Sequence, residues 1–460
     1  MLAFLAVGAL AIVLGERFVA QLEGAHAAAE QAQEASVREA RDYLARGEPG
    51  PPDRAWVDLG YPLWQDWYAG TRVARDPGPL AGIAAGAVDQ APAVFRVSRL
   101  ADPMAAGGYR IENPELAAGA VDLVFVLGLL LPLLIGVLGL HIGSRERETR
   151  LDLLIMVQAG SDRAWLIART LAVGAIAGGA ATGLCVAAGL VSGASWSKIG
   201  GLVLLTLAYA GLWSGLLLAV NARATTVRGA AFLYGGVWTL LCVLVPTLSA
   251  ELALGRVQVD YALAETLDAR GLRYDAYEQG IEAVLPELYA RYPRLETMPA
   301  AAADPLDPLI ARHAYDGILV AALAERHRVR LAEEQSARQV ANWGSWFSPA
   351  IALSLTLERF AGVGPDAAAA YRGHLVTLIE ARVRWVLETA WQDQPLDAED
   401  FDALVSAAPS SYRPRPSGLQ LPLLAMIVWT FAGWTYGLRR LGHSGRQALD
   451  RTGRLAERTA

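Results

Sequence analysis

Long apolar blocks alternate with charged stretches along the chain, and the blocks have the length of membrane-spanning helices. A helix needs about 20 apolar residues to cross the hydrocarbon core. Five blocks reach this length without a formally charged side chain: residues 123–144, 170–197, 199–222, 229–250 and 416–438. A sixth block at 1–15 is shorter. It lacks the basic start and clean cleavage site of a signal peptide, so we interpret it as a first span.

Arginines in the short loops set the orientation, because cytoplasmic loops carry an excess of basic residues. They are Arg145, Arg147, Arg150, Arg163 and Arg169 between spans 2 and 3, Arg223 and Arg228 between spans 4 and 5, and Arg439, Arg440, Arg446, Arg451, Arg454 and Arg458 after span 6. With six spans all of these lie on one side, which is then cytoplasmic, and both termini lie inside. A five-span alternative moves only the N-terminus.

The pattern therefore predicts an all-α membrane protein with six transmembrane helices and two external helical segments. The divisions are span 1 at 1–20, external segment 1 at 21–120, spans 2 to 5 at 121–252 with a short cytoplasmic helix at 146–159, an external helical domain at 253–417, span 6 at 418–439 and a cytoplasmic tail at 440–460.

The two external segments read as mostly helical. In the first, residues 16–46 predict a helix that continues out of the membrane, and an aromatic cluster follows that suits a small core or the membrane interface (Trp56, Tyr61, Trp64, Trp67 and Tyr68). In the second, helical patterns cover 261–292, 308–342, 349–361 and 365–392, with proline-bearing breaks between them. We expect an all-α external domain.

Composition excludes several function classes. A net charge of −6 with no basic stripe gives no reason to expect a nucleic-acid partner. The two cysteines, Cys185 and Cys242, lie inside apolar blocks, and the polar segments show no His/Met cluster. We therefore predict no metal site and no catalytic residues in this chain, so a membrane enzyme is a weak alternative.

The loop between spans 2 and 3 carries the most information. It begins with alternating charges at Arg145, Glu146, Arg147 and Glu148 and continues as a short helix with apolar Leu153, Leu154, Ile155 and Val157, followed by Gln158. Such a helix suits docking into a groove of a partner protein. An interfacial loop that only satisfies the charge bias is an equally good interpretation from physics alone.

These residues also carry a family resemblance. The run from Asn113-Pro114 through Gly119, Asp122 and Leu131-Pro132, then Ser144-Arg-Glu-Arg-Glu, Leu153-Leu154, Gln158, Ser161 and Arg169, resembles the type 2 ABC exporter permeases. Within them it is similar to the branch associated with multicopper-enzyme maturation, which includes the permease of nitrous oxide reductase maturation. A second match to the same branch is Asn342-Trp343-Gly-Ser-Trp346-Phe-Ser348-Pro349, with Arg359-Phe360, Gly362, Gly364 and Tyr371-Arg372.

The resemblance implies a coupling helix that fits a cleft on a separate ATPase subunit. Glu146, Arg147 and Glu148 match the acidic segment that opens it, and Leu153, Leu154, Val157 and Gln158 complete the predicted docking set. The family usually continues with Gly-Thr-Leu, whereas this chain has Arg150, Leu151 and Asp152. It also usually has a cytoplasmic lead-in before span 1, which a truncated or alternative start would explain here.

No GxxxxGK[ST] motif is present, so this chain is not expected to bind or hydrolyse ATP. The resemblance implies two permease subunits, as a second copy or a homologous subunit, and two ATPases that bind ATP and Mg²⁺. Small-residue pairs predict close helix packing, either between subunits or within one: Gly174 with Gly178, Gly179 with Gly183, and Gly211 with Gly215.

Two functions follow as expectations. In the first, the chain is the membrane subunit of an ATP-driven transporter in a bacterial inner membrane, with its large segments in the periplasm. In the second, the spans pass no substrate and ATP hydrolysis works the external helices, as in a mechanotransmission or periplasmic maturation complex. In the first function, the external domains would gate release or engage a periplasmic protein partner.

Overall fold

The computed structural model shows an all-α membrane protein, since helices make up 81% of it and sheet is almost absent. It describes residues 1–76, 78–88, 92–99, 101, 121–159, 161–256, 261–302, 308–392, 394–407, 411–413 and 421–439. Six helices are long and apolar enough to cross a membrane: span 1 (Leu2–Ala45), span 2 (Leu123–Glu148), span 3 (Arg163–Val191), span 4 (Trp196–Arg223), span 5 (Val227–Leu254) and span 6 (Leu421–Arg439). Asn113, Pro114, Gly119 and the predicted tail at 440–460 lie outside the described residues.

The other elements are shorter or more polar. They are α1 (Pro62–Tyr68), β1 (Thr71–Arg75), helical turns Ala81–Ala84 and Ala85–Val88, β2 (Val94–Val97), α2 (Ser144–Glu148, the last turn of span 2), α3 (Asp152–Ala159), α4 (Tyr261–Gln279), α5 (Ile281–Arg291), 3₁₀ turns Pro293–Thr297 and Pro299–Ala302, α6 (Pro308–Phe347), α7 (Pro349–Ala361), α8 (Pro365–Trp391), α9 (Ala398–Ser406) and β3 (Ser411–Tyr412).

Span 1 is one helix of 44 residues that leaves the membrane and enters the polar part of the protein. At 1.5 Å per residue it is about 66 Å long, roughly twice the hydrocarbon thickness. It ends at Ala45, where the sequence turns to glycine and proline. The helix expected at 16–46 is therefore the outer half of span 1.

Two spans contain a π-helical turn that ends two residues before a proline. The turns are Val126–Leu130, before Pro132, and Leu240–Leu244, before Pro246. Proline has no N–H and cannot close the helical ladder, so a carbonyl one turn earlier loses its donor. Such defects are the usual cause of kinks in long helices.

Side chains from other elements donate to the carbonyls of these two spans. The Tyr209 hydroxyl donates to Gly128 O at 2.8 Å, and the Ser348 hydroxyl donates to Leu241 O at 2.5 Å. Tyr234 Oη and Trp238 Nε1 donate to Pro132 O and Leu129 O, at 2.7 and 3.2 Å. These bonds join span 2 to spans 4 and 5, and span 5 to the start of α7.

The two polar segments form one unit, which we call the polar domain. β1 pairs antiparallel with β2 and parallel with β3, so the first segment supplies two strands and the second supplies one. This sheet is a departure from the expected all-α external domain. At two to five residues a strand, its alternation is too short to stand out in the sequence.

A buried ionic cluster also joins the two segments. Asp66 lies 3.7 Å from Arg99 and 3.5 Å from Arg382, and Arg99 lies 2.9 Å from Asp316. Burial raises the pKa of the Asp66 carboxyl, and the charge of Arg382 opposes the rise. Removing one partner would leave a buried charge unpaired, so the cluster fixes how the segments meet.

The predicted aromatic cluster is divided between core and surface. Tyr68 is buried and Trp64 packs on the same core, together with Phe401 and Leu404 of α9. The side chains of Trp56, Tyr61 and Trp67 are exposed.

The small-residue pairs are also divided. A Cβ on Gly174 would lie 2.3 Å from Ser214 Oγ, and one on Gly178 would lie 3.2 Å from Ala210 Cβ, so both pack span 3 on span 4. A Cβ on Gly215 would meet the backbone of span 6, 3.0 Å from Trp434 N. Cβ atoms on Gly179, Gly183 and Gly211 would meet no atom of the described chain within 4 Å.

We predict opposite effects for alanine at two glycines of span 4. Gly215→Ala should destabilise the protein by about 1–3 kcal/mol, because span 6 must move away. Gly211→Ala should be neutral or stabilising by up to about 1 kcal/mol, because alanine is the better helix former. Thermal unfolding in detergent measures both, and equal shifts for the two variants would contradict the packing described.

Candidate functional site

The loop between spans 2 and 3 consists of two short helices, one on either side of a tight turn. α2 follows Gly143, which has φ +75, and α3 follows Arg150, which has φ +58. The left-handed conformation costs a non-glycine residue about 1–2 kcal/mol. Glycine adopts this conformation without that cost, so Arg150 makes the turn at an energetic cost.

Glu146 and Arg147 point into the loop. Glu146 Oε2 accepts from the Gly143 backbone N–H at 2.7 Å, which caps α2. Arg147 donates to Ala224 O at 3.1 Å and to Asn221 O, at the end of span 4. A cation beside the free carbonyls of a helix C-terminus is stabilising. Arg147 thus holds α2 to span 4.

Glu148 makes the complementary contact to span 5. Its carboxylate accepts from the backbone N–H of Val227, the first residue of that helix, at 3.3 Å. An anion at a helix N-terminus is favourable for the same electrostatic reason. We call the contacts of Arg147 and Glu148 with residues 221–227 the clasp.

In contrast to α2, α3 and the residue before it expose apolar side chains. Leu151 is 50% exposed, Leu154 52% and Val157 83%, and Gln158 is also exposed. With spacings of three and four residues, these side chains follow one face of the helix. The side chain of Leu153 lies outside the described part of the structure. The exposed part of the predicted docking set is therefore Leu154, Val157 and Gln158, with Glu148 at its margin.

Sequence reasoning missed the other half of the clasp. Asn221 is buried, and its side-chain Nδ2 donates to Gly139 O of span 2 at 2.9 Å. Its backbone carbonyl accepts from Arg147. The available signal was a polar residue inside an otherwise apolar span, which usually has a specific partner.

A network of charged side chains joins three helices of the polar domain near the start of span 2. Arg359 donates to Asp366 Oδ2 at 2.8 Å and to Asn342 Oδ1 at 2.6 Å, which joins α6, α7 and α8. Arg338 lies 3.4 Å from Asp366, and Arg372 pairs with Glu334. The network braces three helices and offers no nucleophile or acid–base pair of its own.

Glu358 is the neighbour of this network with an unusual proton affinity. Burial, and secondarily the charge of Asp122, raise its pKa from 4.5 to about 7. Asp122 caps span 2 by accepting from Phe125 N at 2.9 Å, and burial raises its pKa as well. Two carboxyl groups thus lie between α7 and the start of span 2.

One family model matches part of the polar domain. A family model described as "Domain of unknown function (DUF3526)" matches residues 262–407. The match runs from the first turn of α4 to the end of α9, so it covers the helical part of the second polar segment. Searches of curated proteins and of solved structures gave no significant match.

We predict that Glu358 makes stability fall with rising pH. Its pKa is higher in the folded than in the unfolded chain, so the folded state binds the extra proton between about pH 4.5 and 7. The stabilisation is complete below the unfolded-state pKa of 4.5, and it is lost as the pH rises through the folded-state pKa of about 7. Unfolding temperature measured from pH 5 to 8 should drop for the wild type.

Glu358→Gln should flatten this dependence, because the amide stays neutral. The exposed Glu278→Gln on α4 is the matched control and should leave the wild-type slope unchanged. Parallel curves for wild type and Glu358→Gln would show that Glu358 does not take up the proton.

Proposed function

We propose that this chain is the membrane-spanning permease subunit of an ATP-binding-cassette transporter in a bacterial inner membrane. A separate ATPase subunit binds ATP and Mg²⁺ and docks on α3, and a second copy or a homologous permease completes the complex. This chain itself hydrolyses nothing, and its polar domain lies in the periplasm, where a protein partner would meet it.

The observation that carries the proposal is the exposed apolar face of α3, between two membrane spans on the arginine-rich side. An apolar helical face with open surroundings suits insertion into a groove of a partner. Through the clasp, α2 adds spans 4 and 5 to spans 2 and 3, which the loop joins directly. A displacement of the loop would thus reach four spans.

The clasp determines which substitutions can test docking. Charge reversal at Glu146 or Glu148 would disturb the cap or the contact with Val227, so loss of binding would not report docking. Val157 is a sharper probe because its side chain is 83% exposed and no hydrogen bond depends on it.

We predict that Val157→Asp reduces ATPase binding at least about tenfold, since a charge buried in an apolar groove loses its hydration. The measurement is ATP hydrolysis that co-purifies with the tagged chain from native membranes. Val329→Asp is the matched control, because Val329 is also exposed but lies on α6 of the polar domain. Full ATPase recovery with Val157→Asp would refute docking at α3.

The continuous helix of span 1 favours the second function, transmission of force without transport. Its outer end packs Val37 and Ala40 against Phe401 and Leu404 of α9, and Arg41 lies 2.7 Å from Asp402. A tilt of span 1 in the membrane would therefore be carried directly to α9.

We predict that Ala28→Pro uncouples this path. Ala28 is exposed in the middle of the helix, and proline there removes a hydrogen bond and breaks it. If force is transmitted, ATP should change hydrogen exchange in α9 of the wild-type complex and of the control Ala28→Ser, but not of Ala28→Pro. An unchanged ATP response in Ala28→Pro would argue against force transmission along span 1.

A further inference from the structure

A cleft in the polar domain gathers more positive charge than its own acids neutralise. It has a volume of about 430 Å³ and lies between α5, the following 3₁₀ turn, α6 and α8. Four arginines and two glutamates line it: Arg291, Arg294, Arg328, Arg384, Glu380 and Glu388. Guanidinium groups stay charged at any physiological pH, so the lining carries two excess positive charges.

Within the described chain, three of the arginines and Glu388 have no ion pair, which leaves the excess of two positive charges. Arg328 is paired, 2.7 Å from Glu325 and 3.3 Å from Glu380. For Arg291, Arg294 and Arg384, the described part of the chain places no carboxylate within ion-pair distance. Burial raises the pKa of the Tyr292 phenol, the charges of Arg291 and Arg384 lower it, and the charge of Glu380, the ion-pair partner of Arg328, raises it. Arg291 and Arg384 therefore both lie near Tyr292 on one side of the cleft, together with Glu380.

The floor of the cleft is apolar. Leu295 and Ala324 are buried and Val320 is 7% exposed, and all three belong to the core of the polar domain. The volume of the cleft lies within the range of about 300–1,000 Å³ that is typical of small-molecule sites. Half of its twelve lining residues are charged, so its walls are more polar than those of most such sites, which favours a charged occupant. Guanidinium groups bind carboxylates and phosphates through paired hydrogen bonds.

The position of the cleft argues against a lipid headgroup as its occupant. Ala324 and Trp346 lie on the same helix, α6, and the Trp346 carbonyl accepts from the indole of Trp429 in span 6. Twenty-two residues of helix separate them, about 33 Å. Along α6, the cleft therefore lies about 33 Å from this contact with a membrane span.

We propose that this cleft binds a small organic anion, with its carboxylate or phosphate group held by Arg291, Arg294 and Arg384 and its apolar part on Leu295, Val320 and Ala324. The inference concerns the polar domain alone and does not depend on docking of an ATPase.

The test is calorimetric titration of the purified full chain, without ATPase, at fixed salt. Phenyl phosphate and benzoate serve as probes with both an anionic and an apolar part, and inorganic phosphate and benzyl alcohol each lack one of them. We expect saturable binding of at least one of the first two, tighter than that of either fragment.

Variants locate the binding. Arg294→Gln with Arg384→Gln should weaken it at least about tenfold, because two guanidinium contacts to an anion are lost. Arg270→Gln with Arg273→Gln removes the same charge from exposed positions on α4 and should leave the affinity unchanged. Absence of saturable binding by phenyl phosphate and benzoate, or equal weakening by both double variants, would overturn the proposal. Binding of an acidic peptide alone would overturn it in favour of a protein partner.

Discussion

Hydrogen bonding of backbone carbonyls inside the membrane is the constraint on which the rest of this structure depends. The hydrocarbon core offers no water, so a carbonyl released by Pro132 or Pro246 must find a donor in the protein. Tyr209 and Ser348 supply two of those donors, from span 4 and from the start of α7. Each such bond joins a span with a π-helical turn to a particular neighbour, and the arrangement of spans 2, 4 and 5 follows from where those donors lie.

The same constraint explains why span 4 is central and why the polar domain is anchored. In the apolar part of span 4, 67% of the residues are buried, compared with 11% in span 5. The exposed side chains of span 5 suit contact with lipid or with a further subunit. Tyr209, Trp213 and Tyr234 form edge-to-face pairs beside the defect in span 2, with ring centroids 6.3 and 5.8 Å apart. Through Ser348, the π-helical turn in span 5 is joined to α7, so a movement of that span would reach the Arg359–Asp366 ion pair.

The extent to which the sequence was informative follows from the range of each interaction. The spans, the long outer half of span 1 and the helices of the second segment are local patterns of hydropathy and proline, and they were predictable. The strand β3 pairs with β1 across more than 300 residues, and no local pattern indicates it. The site was foreseen as a helix but not in its contacts: whether Arg147 faces a partner or the end of span 4 depends on where Asn221 and Ala224 lie in space.

The clasp gives the charged start of the loop a role inside the chain. Arg147 and Glu148 interact with the two free helix ends on either side of the short loop at 224–226, one with carbonyls and one with an N–H. Each is a partly exposed contact worth about 0.3–1 kcal/mol, and each would be screened if it stood alone in water. Because both lie on one turn of helix, they act together and fix α2 relative to spans 4 and 5. A partner bound to α3 would then act on a rigid unit, whereas a loose loop would absorb the same displacement in its own turns.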